Sequence, residues 1–282
     1  MRIPLLCAAL AAAAGVVSAQ NATSTRPPII DIHVHAMMGI PGAQPACANA
    51  PAFLASDPAK KEDRFGWRTV GCANPLLPAR TPASYENEVL AEMERLNVTA
   101  VVMGDEKTVN RWKTDAPERV ISGTSFRADA LSGDNKVAEL KRLREAFTKG
   151  GFAVMGEVGP QYAGMSPSDP ALDEYFALAE ELDIPVGIHM GTGGSGRANI
   201  TTPKFRGSMG NPLLLEDLLA KHPKLRLWIM HAGYPMMDNL LTLLQANSHV
   251  YVDVAGLIWS HPIKEVNRYI QRMVEAGLQD PV

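Results

Sequence analysis

Four histidines share one kind of address, and their chemistry is that of ion holding and proton transfer. His33 and His35 close the apolar run 29–35, IIDIHVH. His189 closes 184–190, IPVGIHM, and His231 closes 225–231, LRLWIMH. An imidazole is a neutral metal ligand, and it is also the side chain that exchanges protons near neutral pH. A strand sets residues two apart on one side, so His33 and His35 are expected to point together, with Ile32 and Val34 turned the other way. Two neighbouring imidazoles left in a core would bury unpartnered nitrogens. A shared divalent cation satisfies both at once. One histidine at a strand end is more often a packed core residue, but four at three strand ends point to a metal-centred site.

Other ionisable residues fall near the same addresses. Glu157 in GEVGP and Asp253 in YVDVA end two further apolar runs. Each is open to three roles: ligand, partner that orients a ligand histidine, or buried hydrogen-bonder. Arg127, Lys204 and Arg206 follow strand ends and suit a clamp on a substrate carboxylate, although a solvated loop charge is the ordinary role of each. His222, at a helix end in AKHPKL, is expected to meet free carbonyls there. His249 begins a strand, the wrong end for a site, and His261 lies in a loop beyond the last strand. The run GTGGSG at 191–196 matches GxGxxG. A dinucleotide fingerprint needs a helix to open at once, and ANITTPKF follows instead. A substrate loop accounts better for those glycines.

The elements that must position these residues follow from periodicity. Strands are expected at 29–35, 98–103, 119–126, 151–158, 184–190, 225–231 and 249–254. Helices are expected at 83–96, 105–113, 134–149, 171–182, 212–221, 236–246 and 262–277. Strands apolar throughout and separated by helices imply a parallel sheet covered by helices. Periodicity alone leaves a doubly wound sheet and an eightfold barrel open. With 282 residues, 46% of them hydrophobic, the chain is long enough for either one barrel or two smaller domains. Residues 37–81 are rich in Pro, Gly and Ala and show no period, as expected of a functional insertion.

With these motifs in view, the chain resembles the amidohydrolase superfamily, in its amidohydrolase-related branch of metal-dependent hydrolases and nonoxidative decarboxylases of carboxylated acids. The resemblance runs from about residue 29 to the C-terminus. It rests on DIHVH, GIHMG, and NPLLLEDLLAKHPKLRLWIMHAGYP followed by VYVDVAG. It implies an α/β fold of the (β/α)8 TIM-barrel type in residues 29–282. It implies His33, His35 and His189 as metal ligands, zinc as the usual ion, and His231 as the residue that polarises substrate or exchanges a proton. Glu157, Arg127, Arg206 and Asp253 then become supporting or substrate-facing residues. The family also places an aspartate at the end of strand eight. This chain ends in GLQDPV about where that strand would begin, so the expected barrel is one strand short and Asp280 is not assigned that role.

Three functions follow as alternatives: a metal-dependent hydrolase, a metal-dependent nonoxidative decarboxylase, or an inactive fragment or binding protein that keeps the fold. The partner is a small-molecule substrate. A net charge of −3 gives no basic surface for nucleic acid or an anionic membrane. Self-association into a homo-oligomer stays open. Residues 1–19 carry the Arg2 n-region, an apolar core and Val17-Ser18-Ala19 before a cut, as in a secretory signal. They imply a periplasmic or secreted protein, with a leader at 20–28. Cys7 leaves with the signal. Cys47 and Cys72 invite a disulfide in an oxidising compartment, worth roughly 3 kcal/mol for a loop of that length. Asn21, Asn97 and Asn199 begin glycosylation triplets.

Overall fold

Seven strands pair in chain order as one parallel sheet in the computed structural model, which describes residues 26–36, 74, 77–127, 130–193, 198 and 202–278. They are β1 (Ile29–His35), β2 (Val98–Met103), β3 (Val120–Thr124), β4 (Val154–Val158), β5 (Val186–His189), β6 (Leu227–Met230) and β7 (Tyr251–Val252). The helices are α1 (Pro82–Leu96), α2 (Glu106–Asp115), α3 (Gly133–Thr148), α4 (Asp173–Glu181), α5 (Glu216–Lys221), α6 (Met237–Ala246), α7 (Leu257–Ser260) and α8 (Ile263–Glu275). The fold is of the TIM-barrel type without an eighth strand among the described residues, and β1 and β7 form the two edges of the sheet. Residues 1–19, most of the 37–81 insertion, Cys47, Cys72, Asn21 and Asn199 lie outside the described residues. No helix among the described residues is long and apolar enough to cross a membrane.

Local chemistry explains the helix starts. Thr81 caps α1 by accepting from the Ser84 N–H at 3.0 Å, with Pro82 in the first turn. Asn97, left-handed at φ 57°, ends that helix directly before β2. Asp105 caps α2 through the Thr108 N–H at 3.0 Å. The buried face of α8, Val266, Tyr269 and Met273, repeats at helical spacing.

Strand alternation splits the core. Ala100 and Val102 of β2 pack outward under α1 and α2, with Trp112. Leu227 and Ile229 of β6 pack outward with the α4–α8 side chains in the largest cluster. Val101, Met103, Val154, Trp228 and Met230 turn inward and meet, with Ile32 and Ile121, across the barrel axis. Side chains from β1, β2, β3, β4 and β6 share that one cluster, as a curled sheet requires.

Two expectations need correction. Ile32 joins the inner cluster while Val34 packs outward, so they do not share a side. The cause is an irregularity in β1: its register against β2 shifts between Asp31 and Val34. The strands expected at 119–126, 151–158 and 249–254 are also shorter than their apolar runs. Gly151, at φ 74°, delays the start of β4, and β7 has a neighbour on one side only.

The inner layer depends on missing side chains. A Cβ on Gly187 would stand 2.3 Å from Trp228 Cζ2, and one on Gly156 would stand 2.7 Å from Met103 Sδ. These glycines admit the indole and the thioether as the floor beneath the strand ends. Trp228 is pinned there by its Nε1–H bond to Asp253 Oδ2 at 3.1 Å, so it cannot swing aside. Gly187→Ala is therefore expected to destabilise the protein by about 1–3 kcal/mol. Urea unfolding measures this, and an unchanged midpoint would show that the floor yields freely.

Candidate metal-binding active site

The strand ends deliver four imidazoles and two carboxylates to one rim. The irregularity in β1 keeps both of its histidines at that rim: His33 Nε2 and His35 Nε2 are 3.2 Å apart. The His33 N–H donates to Asp31 Oδ1 at 2.9 Å, which holds the bend. The Tyr85 hydroxyl donates to the His35 carbonyl at 3.1 Å, anchoring the strand end to α1.

Glu157 sits between the histidines. Its Oε2 lies 3.2 Å from His35 Nε2 and 3.7 Å from His33 Nε2. Its Oε1 meets His189 Nδ1 in a short contact and stands 3.5 Å from His231 Nε2. His231 Nε2 and His189 Nδ1 are 3.1 Å apart. Burial pushes the Glu157 carboxyl up, but hydrogen bonds from His189, His231, His33 and His35 outweigh it and hold the group far below the usual carboxylate range.

Asp253 anchors the opposite side. Its Oδ2 accepts from His33 Nδ1–H at 2.9 Å and from Trp228. Its Oδ1 accepts the backbone N–H of His231 at 2.9 Å and that of Ala255 at 3.0 Å. Burial lowers the His33 pKa, yet Asp253 and then Glu157 overcome it and raise the imidazole to about 9. Burial likewise raises Asp253, and the His33 bond more than reverses it. His231 and Ala232 are left-handed at φ 59° and 47°, a costly conformation for residues with a Cβ. The Asp253 bond and a 2.7 Å bond from His231 Nδ1–H to the Ala255 carbonyl hold that turn. They leave His231 Nε2 facing the site.

The donor set fits a divalent ion. Tetrahedral ligands at about 2.0–2.1 Å from a zinc stand about 3.3 Å from one another. The His33–His35–Glu157 triangle has edges of 3.2, 3.2 and 3.7 Å. With Nδ1–H given to Asp253, His33 turns Nε2 to the centre, so a cation that displaces the Nε2 proton would meet the carboxylate–histidine arrangement common at metal sites. The ligand atoms of Glu157, His189 and His231 also lie within 4.8 Å of one another, as do those of His33, His231 and Asp253. His189 thus meets the β1 pair through Glu157.

A cavity of about 540 Å³ opens beside His35, the most exposed of the four at 36%. Glu157, Gly156, Thr124, Ser125, Arg127 and Arg142 are among its lining residues, with Asp105 and Glu106 at the start of α2. Arg206 is not: its Nη1 donates to the carbonyls of Pro203 and Phe205, each at 2.8 Å. Lys204 packs against Gly164. His222 meets carboxylates rather than carbonyls, Asp173 at 3.0 Å and Glu180 at 3.3 Å, because α4 runs beside the end of α5. His249 is exposed ahead of β7. His261 packs at a tilt against Tyr234, with ring centroids 4.3 Å apart, away from the cavity lining.

Sequence reasoning missed the residues that hold this site. Tyr162, on the 3₁₀ turn Pro160–Ala163, places its hydroxyl 2.7 Å from His189 Nε2 and stacks on Phe205. Its neighbour Gln161 donates to the His189 carbonyl at 2.7 Å. Glu139, on the buried face of α3, accepts from Arg142 and from the Arg127 backbone. A buried acid at a helix position that faces the sheet was the available signal for Glu139; none existed for Tyr162.

The sequence matches the family model described as amidohydrolase over residues 30–282. No curated protein matches the chain. Among solved structures, an uncharacterized TIM-barrel protein from Bordetella bronchiseptica is 16% identical, with 68% of this chain and 67% of that one covered at a TM-score of 0.52. A probable 2-pyrone-4,6-dicarboxylic acid hydrolase from Acinetobacter baumannii, with citric acid bound, is 13% identical, covering 89% and 80% at 0.51. A 5-carboxyvanillate decarboxylase from Novosphingobium aromaticivorans, complexed with manganese, is 16% identical, covering 69% and 74% at 0.45.

Two outcomes follow from this geometry. Asp253→Asn replaces an acceptor of four hydrogen bonds with a side chain that has donors of its own. It is expected to cost about 1–3 kcal/mol of stability, and urea unfolding of the variant within error of the native protein would contradict the assignment. For Glu139, burial raises the carboxyl, but the bonds from Arg142 and the Arg127 N–H win and lower it. A carboxyl lowered by folding adds stability above its unfolded value, and that stability is lost as pH falls through the folded value. Glu139→Gln should therefore flatten the acid limb of a stability–pH profile, and an unaltered limb would refute the shift.

Proposed function

From the premise that the chain belongs to the amidohydrolase family, and is an enzyme by that membership, we propose that it is a divalent-metal-dependent hydrolase of a small molecule, with zinc as the ion. The observation that carries this is the triangle of His33, His35 and Glu157, whose edges suit one cation. We assign His189 and His231 to the far oxygen of the same carboxylate, where His189 is the next donor available to an ion. The bound ion would supply a water of lowered pKa and polarise the bond to be cleaved.

The chain's own residues do the rest. Asp253 fixes the His33 ring with Nε2 inward. His231 keeps its proton on Nδ1, held by the Ala255 carbonyl, so Nε2 accepts a proton from the attacking water or returns one to the leaving group. Arg127 offers a guanidinium on the cavity wall to an acidic substrate. That residue favours a second reading of the same site, loss of carbon dioxide from a carboxylic acid, in which His231 would deliver the proton that replaces the carboxylate.

Metal analysis of the purified protein is expected to find at least one divalent ion per chain. His33→Ala should lower that content and reduce turnover at least about 100-fold. A panel of amides, esters, lactones and aromatic acids, read for both hydrolysis and carbon dioxide release, separates the two reactions. Metal-free native protein with activity unchanged by His33→Ala would defeat both.

A further inference from the structure

The turn that follows β4 reaches the ring of His189 from the side away from the centre. Tyr162 lies on the 3₁₀ turn Pro160–Ala163, directly after Gly159. A Cβ on Gly159 would stand 2.8 Å from Tyr162 Cδ2 and 3.8 Å from His189 Cβ. The absence of that atom lets the phenol fold back against β5. Phe205, itself buried, stacks on the phenol with ring centroids 5.7 Å apart. Beside it, Lys204 packs on Gly164, which is left-handed at φ 75° and closes the turn. Gln161 is fully buried and donates to the His189 carbonyl at 2.7 Å. One turn thus grips the end of β5 twice, at the backbone and at the imidazole.

The two nitrogens of His189 meet different surroundings. Nδ1 faces the centre, in short contact with Glu157 Oε1 and 3.1 Å from His231 Nε2. Nε2 is the nitrogen nearer to the Tyr162 hydroxyl, at 2.7 Å against 3.2 Å for Nδ1. A neutral imidazole carries one proton, and the partner of one nitrogen decides which nitrogen keeps the lone pair. A phenol oxygen can accept an N–H while its own proton goes elsewhere. Nε2–H donated to Tyr162 leaves the lone pair on Nδ1, where a cation could take it.

We propose that Tyr162 is a positioning residue of the metal site, its hydroxyl oxygen accepting Nε2–H of His189 and so committing Nδ1 to the ion. The proposal rests on the reading that His189 is a donor to a divalent ion. His33 is oriented the other way round, with Nδ1–H given to Asp253 and Nε2 turned inward. The partner also differs in charge. A phenol orients the ring without adding a further negative charge beside Glu157. The segment from Glu157 to Tyr162 therefore holds one imidazole at both nitrogens.

Nitrogen-15 spectra of the zinc-loaded native protein read the tautomer, and His189 is expected to be protonated on Nε2 and ligated through Nδ1. Tyr162→Phe keeps the ring and its stack on Phe205 and removes one oxygen. That variant should hold zinc about 10- to 100-fold more weakly in competition with a chelator. It should also shift the visible absorption bands of the cobalt(II)-substituted protein, which a tyrosine that only packed would leave in place. His189→Ala sets the scale and should weaken zinc at least as much. Ligation of His189 through Nε2 in the native protein overturns the proposal. Native zinc affinity with native cobalt bands in Tyr162→Phe overturns it too. The spectra of the native protein decide the matter even if the variant folds poorly. A failed premise would register separately, as native zinc affinity in His189→Ala or as native protein that binds no divalent ion.

Discussion

A partly buried carboxylate shared by four imidazoles is the constraint on which the rest of this structure depends. Glu157 taken alone would be costly to remove from water. His33, His35, His189 and His231 make it tolerable, and it does the same for them, because nitrogens this close repel unless a proton or a cation lies between. Neither set would be stable without the other. That mutual dependence forces the ends of β1, β4, β5 and the turn after β6 to one point, and it makes a positive ion the natural occupant.

Holding six polar groups there takes a stiff support. Asp253 supplies much of it, joining His33, the turn at His231, Ala255 and the floor residue Trp228 through two oxygens. The left-handed backbone at His231 is affordable only because those bonds over-determine it. Below, Gly156 and Gly187 give up side chains so that Met103 and Trp228 can fill the barrel axis. The floor, the carboxylate and the strained turn are one mechanical unit, and the imidazole positions follow from it.

The cavity wall beside this unit is set at the end of β3, the strand paired with β4. There the buried acid is Glu139, and its counter-charges are arginines rather than histidines. The two acids do different work. Glu157 gathers groups that can hold a cation, whereas Glu139 ties Arg142 and the Arg127 backbone to the end of β3.

Much of this was legible in the sequence. Apolar runs broken by amphipathic helices determined seven parallel strands, since each run had to be buried on both faces. The positions of His33, His35, His189 and His231 at the ends of those runs determined that they share a rim. Local pattern could not show that β1 shifts register at Asp31, because the bend depends on its pairing with β2. Nor could it show that Glu157 lies between the histidines, that Tyr162 reaches His189, or that Glu139 governs Arg127. Those relations join residues distant along the chain, and only the closing of the sheet sets their distances. Periodicity fixes which side of a strand a residue occupies; which partner it meets across the barrel is decided by curvature and packing, and these belong to the whole fold.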